Sequence, residues 1–245
     1  MTDSSLKGRV ALITGANKGI GLEIARQLAA REVTALIGAR DPERGEEAAR
    51  ALIADELDAR FIRIDVTDPS SIHSAASRIE REFERLDILV NNAGIGIDNA
   101  PPSRLEMDVL RRTYETNFFG VFAVTKTMLP LLRKSDRPRI VNMSSGLGSL
   151  TQNSDPGYQY AAAKLLAYNS SKSALNALTI QLAHELRDTP IKVNSADPGY
   201  VATDLNHHTG TRTVEQGARI AVELAALPAD GPTGGFFDEN GVVPW

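Results

Sequence analysis

Tyr168 and Lys172 stand four residues apart, and on a helix that spacing places two side chains on one face. A free phenol has a pKa of about 10 and is a poor proton partner near neutrality. A neighbouring ammonium stabilises the phenolate, each unit of lowering being about 1.4 kcal/mol. A phenol so placed can act as a general acid, or as a base in the reverse direction. Tyr160 and Lys164 repeat the spacing, whereas Tyr158 has Ala162 in the lysine position. We prefer Tyr168, because Asn169, Ser170, Ser171, Ser173 and Ala174 would let its helix approach a cofactor closely. Leu175, Leu178, Leu182 and Leu186 then give that helix a core stripe.

A second constellation binds rather than reacts. An apolar run ends in Thr14, Gly15, Ala16, Asn17, Lys18, Gly19, Ile20 and Gly21, and a helical pattern follows. Glycines permit a tight turn and let backbone N–H groups approach a pyrophosphate, and the helix start adds partial positive charge. A strand before and a helix after is the context this motif needs. At the tip of the second strand such a site chooses its dinucleotide, an acidic residue there taking the free ribose 2′-hydroxyl. This chain has Ala39 and Arg40 instead, and the planar guanidinium suits a phosphate. With Lys18 as a second cation, the expected cofactor is NADP(H).

These groups need a scaffold. Short apolar runs at 10–14, 33–38, 61–64, 87–90, 139–143 and 191–195 show little in/out alternation, as strands buried on both faces of a parallel sheet do. Helical stretches at 20–30, 42–56, 69–85, 104–132, 168–187 and 214–227 alternate with them. The pairs Asp41-Pro42 and Asp68-Pro69 each set a capping carboxylate before a first-turn proline. The expected fold is therefore α/β, a doubly wound Rossmann-type parallel sheet with helices on both faces, in one domain over 1–245. Ligands in such sheets sit beyond the carboxyl ends of the strands, which points to the loops 96–103, 146–157 and 206–212.

The chain has 245 residues, with 27 Lys plus Arg against 31 Asp plus Glu and no cysteine. A net charge of −4 without a dense basic run argues against nucleic acid as a partner. Disulfides and thiolate metal sites are excluded. The polar start at 1–9 lacks the apolar core of a signal peptide, and no apolar run reaches membrane-spanning length, so a cytoplasmic protein without membrane contact is expected. His207 and His208 lack a third ligand at metal spacing, and no metal is expected. His73 and His184 read as surface residues of helices.

Together these segments resemble the short-chain dehydrogenase/reductase family over nearly the whole chain. The matching stretches are 14–21, Asp65-Val66, Asn91-Asn92-Ala93-Gly94, Asn117, Ser144-Ser145, Tyr168 to Lys172, and Pro198-Gly199 with Thr203. The runs GANKGIG and GARDPERG look most like the NADPH-dependent carbonyl reductases. The resemblance implies that Tyr168 protonates a reacting carbonyl and that Lys172 also binds the nicotinamide ribose. It selects Ser145 over Ser144 to hydrogen-bond the reacting oxygen, an oxyanion-type role. It has Asn117 hold a water linking Lys172 to solvent. Asp65 and Val66 would frame the adenine, and Asn92, Ala93 and Gly94 would lie on the adenine ribose side. Pro198, Gly199, Val201 and Thr203 would hold the nicotinamide amide, with a flap over the substrate at 204–212. The implied partner is a small carbonyl or alcohol substrate. Tyr168 lies farther from Ser145 than the family usually has it, 23 residues on. The inserted residues resemble an insertion that keeps some carbonyl reductases monomeric, while the helices at 104–132 and from 168 offer an oligomer surface.

Overall fold

The computed structural model describes residues 6–245. Of the polar amino-terminal stretch, residues 1–5 lie outside the described residues. Six parallel strands occupy the expected places: β1 (Val10–Thr14), β2 (Thr34–Ala39), β3 (Ala59–Arg63), β4 (Ile88–Asn91), β5 (Arg139–Met143) and β6 (Lys192–Ala196). Two short strands that the apolar pattern does not reveal, β7 (Phe236–Asp238) and β8 (Gly241–Val242), extend the sheet. The order is β3-β2-β1-β4-β5-β6-β7-β8. The chain thus winds outward from β1 and then returns to its other side at β4, leaving a crevice at their carboxyl ends.

Strand pleating sorts the core into two layers. Ile13, Ile37, Val90 and Val141 face one side, where α1 (Gly19–Ala29), α2 (Pro42–Ala54) and α8 (Val214–Ala225) bring Ile24, Leu28, Leu52, Ile220 and Leu224. Leu12, Leu36, Leu89, Ile140 and Val193 face the other, against α3 (Pro69–Phe83), α5 (Val121–Leu132) and α7 (Leu166–Glu185). Asp41 and Asp68 cap α2 and α3 by accepting from the amides of Arg44 and Ser70, each ahead of its proline.

Two expectations are corrected. The helix expected over 104–132 is α4 (Met107–Tyr114), a π-helical turn (Glu115–Gly120) and α5, with only a 3-10 turn at Pro102–Arg104. At its end Gly120 lets the Val66 backbone come close: a Cβ there would meet the Val66 carbonyl at 2.8 Å. The loop expected at 146–157 contains a 3-10 turn (Gly146–Gly148) and the short helix α6 (Leu150–Ser154). No helix among the described residues is long and apolar enough to cross a membrane.

At the opposite end of the sheet from the crevice, the buried Arg139 guanidinium donates to the carbonyls of Pro138, Pro190, Leu227 and Pro228. It ties the start of β5 to the end of α8. Burial lowers its pKa to about 10, so it stays charged at neutral pH. Arg139→Met should destabilise the fold by about 3 kcal/mol, since bonds to a charged donor are lost and buried carbonyls are left unmet. Urea denaturation measures this.

Candidate active site

Beyond β1 the chain makes the glycine turn. Gly15 has φ 65°, and a Cβ on it would stand 2.9 Å from the Ala93 Cα, so the turn and the segment after β4 touch through bare backbone. Asn92 and Ala93 donate their amides to Thr14 Oγ1, both at 3.0 Å, and the Asn92 side chain donates to the Thr14 and Gly15 carbonyls. Lys18 precedes α1 without giving a capping side chain, so the first amides of the helix face the cleft beside Gly19, Ile20 and Gly21. That arrangement suits an anion.

Around this turn the expected binding residues differ in their surroundings. Arg40 is exposed just past the end of β2 and forms no ion pair among the described residues, and it is Arg44 that reaches Asp41. Lys18 forms an ion pair with Asp204, which also accepts from His208 at 2.8 Å. Lys18 therefore ties the glycine turn to the segment after β6 instead of standing free. Asp65 spends its carboxylate on the amide and hydroxyl of Thr67, and Val66 packs against the π turn. Gly199 has φ 73°, and its amide donates to Asp197 Oδ1. Val201 bridges to Arg212, and Thr203 with Asn206 forms a capping box, so 203–212 is a closed loop. Among the described residues no group of histidine and acidic side chains can hold a metal.

The reacting groups converge at the end of β5. Ser144 turns into the core and donates to Asn176 at 2.7 Å, whereas Ser145 faces the Tyr168 phenol, close enough to stabilise its anion. Lys172 is buried one turn on, with Nζ 5.6 Å from the Tyr168 ring centroid, and donates to the Met143 carbonyl at 2.7 Å. The π turn presents Asn117, whose amide group exchanges both hydrogen bonds with the Ile95 backbone at 2.8 Å and donates to Ser171 in α7. Asn117 Oδ1 and Lys172 Nζ both lie 3.4 Å from where a Cβ on Gly94 would be. Tyr160 sits on a turn and Lys164 in irregular chain, neither on a helix: Tyr160 packs on Tyr158 and Tyr200, and Lys164 donates to the Asn153 carbonyl.

The charge states depart from expectation. The ammonium was expected to make the phenol acidic, yet burial wins: it pushes Tyr168 up to about 12, helped by Asp197 and only partly offset by Ser145. Burial also pulls Lys172 down to about 8. Both shifts have one cause, since desolvation disfavours whichever form carries charge. The phenol is therefore protonated at neutral pH, a proton donor.

One contact was invisible to local pattern. Leu165 offers α7 no cap, and the carboxylate of Asp98, from the loop after β4, accepts from the amides of Ala167 at 2.8 Å and Tyr168 at 3.0 Å. The cap comes from 69 and 70 residues upstream, beyond any helix-start motif. Asp98→Ala should cost about 1 kcal/mol of stability and Asp98→Asn less. Thermal denaturation of the two variants checks the order.

A family model described as short chain dehydrogenase matches residues 9–213. The chain is 37% identical to "Short-chain dehydrogenase/reductase 1" of Saponaria officinalis, over 97% of this chain and 96% of that one. It is 36% identical to "(+)-neomenthol dehydrogenase" of Arabidopsis thaliana, over 96% and 97%. Among solved structures, the NADPH-bound carbonyl reductase from chicken fatty liver superposes with a TM-score of 0.85 at 28% identity, covering 98% of this chain and 100% of that one. With the parallel sheet, the glycine turn and the Ser145–Tyr168–Lys172 cluster in one cleft, these likenesses make the chain a member of the short-chain dehydrogenase/reductase family of oxidoreductases.

Proposed function

We propose that this enzyme reduces a small carbonyl compound, a ketone, aldehyde or quinone, using NADPH, with Tyr168 as the general acid. The observation that carries the reading is a phenol held protonated, facing Ser145, with a buried amine one helical turn behind it. The residues present suit the cofactor. The uncapped start of α1 and the bare Gly15 take a diphosphate, and the exposed Arg40 just past β2 is placed for a 2′-phosphate. Lys18 can join it only by releasing Asp204. Asp65, Val66 and Asn92 to Gly94 line the adenine side, and Pro198, Gly199, Val201 and Thr203 the nicotinamide side.

When bound, the reduced nicotinamide supplies a hydride to the carbonyl carbon. Ser145 donates to the carbonyl oxygen as negative charge grows there. Tyr168 delivers its proton to the same oxygen, and Lys172, from its buried site, stabilises the phenolate that remains. Asn117 fixes the loop after β4 against α7 and keeps Lys172 in line. The reverse reaction, oxidation of an alcohol, needs the phenolate at the outset and is held back at neutral pH by a phenol near 12. The absence of cysteine matches a reducing cytoplasm.

The sign of the pH dependence follows. Reduction uses the protonated phenol, present below its pKa, so kcat/KM for reduction stays high through neutrality and falls on the alkaline side. Alcohol oxidation rises with pH over the same range. Tyr168→Phe should lower reduction by about 10²–10⁴-fold, while fluorescence titration still shows NADPH binding. Activity near wild type in that variant would end the assignment. Arg40→Ala should raise KM for NADPH about tenfold and leave KM for NADH almost unchanged. Steady-state kinetics with both cofactors reads the difference.

A further inference from the structure

Beside the reacting groups, one carboxylate has no part in the proposed chemistry. Asp197 follows β6 directly and is partly buried. Its negative charge adds to burial in disfavouring the Tyr168 phenolate, so the carboxylate lies near the phenol. Burial and the neighbouring Asp238 disfavour ionisation of Asp197 itself, and Arg212, the cation beside it, is committed to Glu239. An acid in such surroundings costs free energy. Its hydrogen bonds show what it holds.

The ladder between β5 and β6 runs out at this point. Ser144 donates its amide to the Ala196 carbonyl at 2.8 Å, and beyond that pair the two chains part into separate turns. One turn carries Ser145 and Gly146, the other Pro198 and Gly199. The Asp197 side chain bridges them. Its Oδ1 accepts from the Gly199 amide at 2.9 Å, and the same carboxylate takes the Gly146 amide. A Cβ on Gly146 would stand 2.9 Å from Asp197 Oδ2, so the bare glycine lets the chain after Ser145 close onto that oxygen. From the other side the Asp197 amide donates to the Phe237 carbonyl of β7 at 2.8 Å, which fixes its backbone. Two donor amides on opposite sides need two acceptor oxygens, and an ionised aspartate offers both. An asparagine has one acceptor oxygen and would set its NH₂ against the second amide.

We infer that Asp197 is a positioning residue that locks the Ser145 turn to the Gly199 turn and so fixes the donor to the reacting oxygen against the nicotinamide side of the cleft. This role rests on the reductase reading, in which Ser145 serves the carbonyl oxygen and Pro198 and Gly199 the nicotinamide. Asp197 acts through the two glycine amides, not on the substrate. The two turns belong to different strands, and past the last backbone pair this carboxylate is the link that continues the sheet between them. Reacting groups must be aligned closely, and an error of about 1 Å costs about 10²-fold in rate.

The test is steady-state reduction of 9,10-phenanthrenequinone by NADPH with the full chain, comparing Asp197→Asn, Asp197→Ala, Ser145→Ala and the double variant Asp197→Asn with Ser145→Ala. Asparagine keeps the Gly199 bond, a local turn that its side chain makes well, and loses the Gly146 bond. Asp197→Asn should therefore lower kcat about 10–10²-fold and leave KM for NADPH within about threefold of wild type. Asp197→Ala frees both turns and should also raise KM for NADPH about tenfold. Ser145→Ala should lower kcat about 10²–10³-fold. On that background Asp197→Asn should cost less than about threefold more, because a displaced serine matters only where there is a serine. Fluorescence titration with NADPH confirms that each variant has folded. An unchanged kcat in Asp197→Asn, or an equal loss with and without Ser145, overturns the positioning role and leaves the reductase reading in place. Full activity in Ser145→Ala, or none in the wild type, brings down both.

Discussion

An amine buried at the end of a β-strand organises this molecule. Lys172 sits under the sheet's carboxyl edge with its nitrogen on the Met143 carbonyl. A buried ammonium is costly unless polar atoms surround it, and the protein answers by drawing Lys172 down to about 8. That nitrogen lies 5.6 Å from the Tyr168 ring, so the energy of burying it and the geometry of proton transfer are one constraint. The loop after β4, the π turn and the helix α7 are all arranged around it.

Close packing makes the burial possible. A Cβ on Gly148 would lie 2.7 Å from the Lys172 Cβ and 2.9 Å from its carbonyl carbon, so the turn after β5 presses on α7 at the lysine itself. On the other side the π turn brings Asn117 against Ile95 and Ser171, joining the loop after β4 to the same helix. Wide helical turns of this kind often mark functional positions. Asp98 completes the clamp at the first turn of α7. Three separate stretches of chain thus hold Tyr168 and Lys172 in register, and none of them is the helix that bears those residues.

Burial also sets the charge states. With Lys172 buried and Tyr168 partly so, desolvation raises the phenol and lowers the amine. The resting site then has a proton on Tyr168. The same residues in a more solvated cleft would let the ammonium lower the phenol instead.

Much was legible in the chain itself because it depends on local pattern. Apolar runs without alternation marked six buried parallel strands, and aspartate before proline marked two helix starts. Glycines between a strand and a helix marked the turn at 14–21, and small residues with a leucine stripe marked the helix that bears Tyr168. What escaped depends on atoms distant in sequence. β7 and β8 are too short for a hydrophobic signature and exist by pairing beside β6. The π turn, the reach of Asp98 to α7 and the Lys18–Asp204 pair follow from packing between separate segments. Spacing could place an amine beside a phenol, but only the tertiary structure could say how deeply each is buried. That burial, set by the whole fold, moves the phenol up to about 12 and the amine down to about 8.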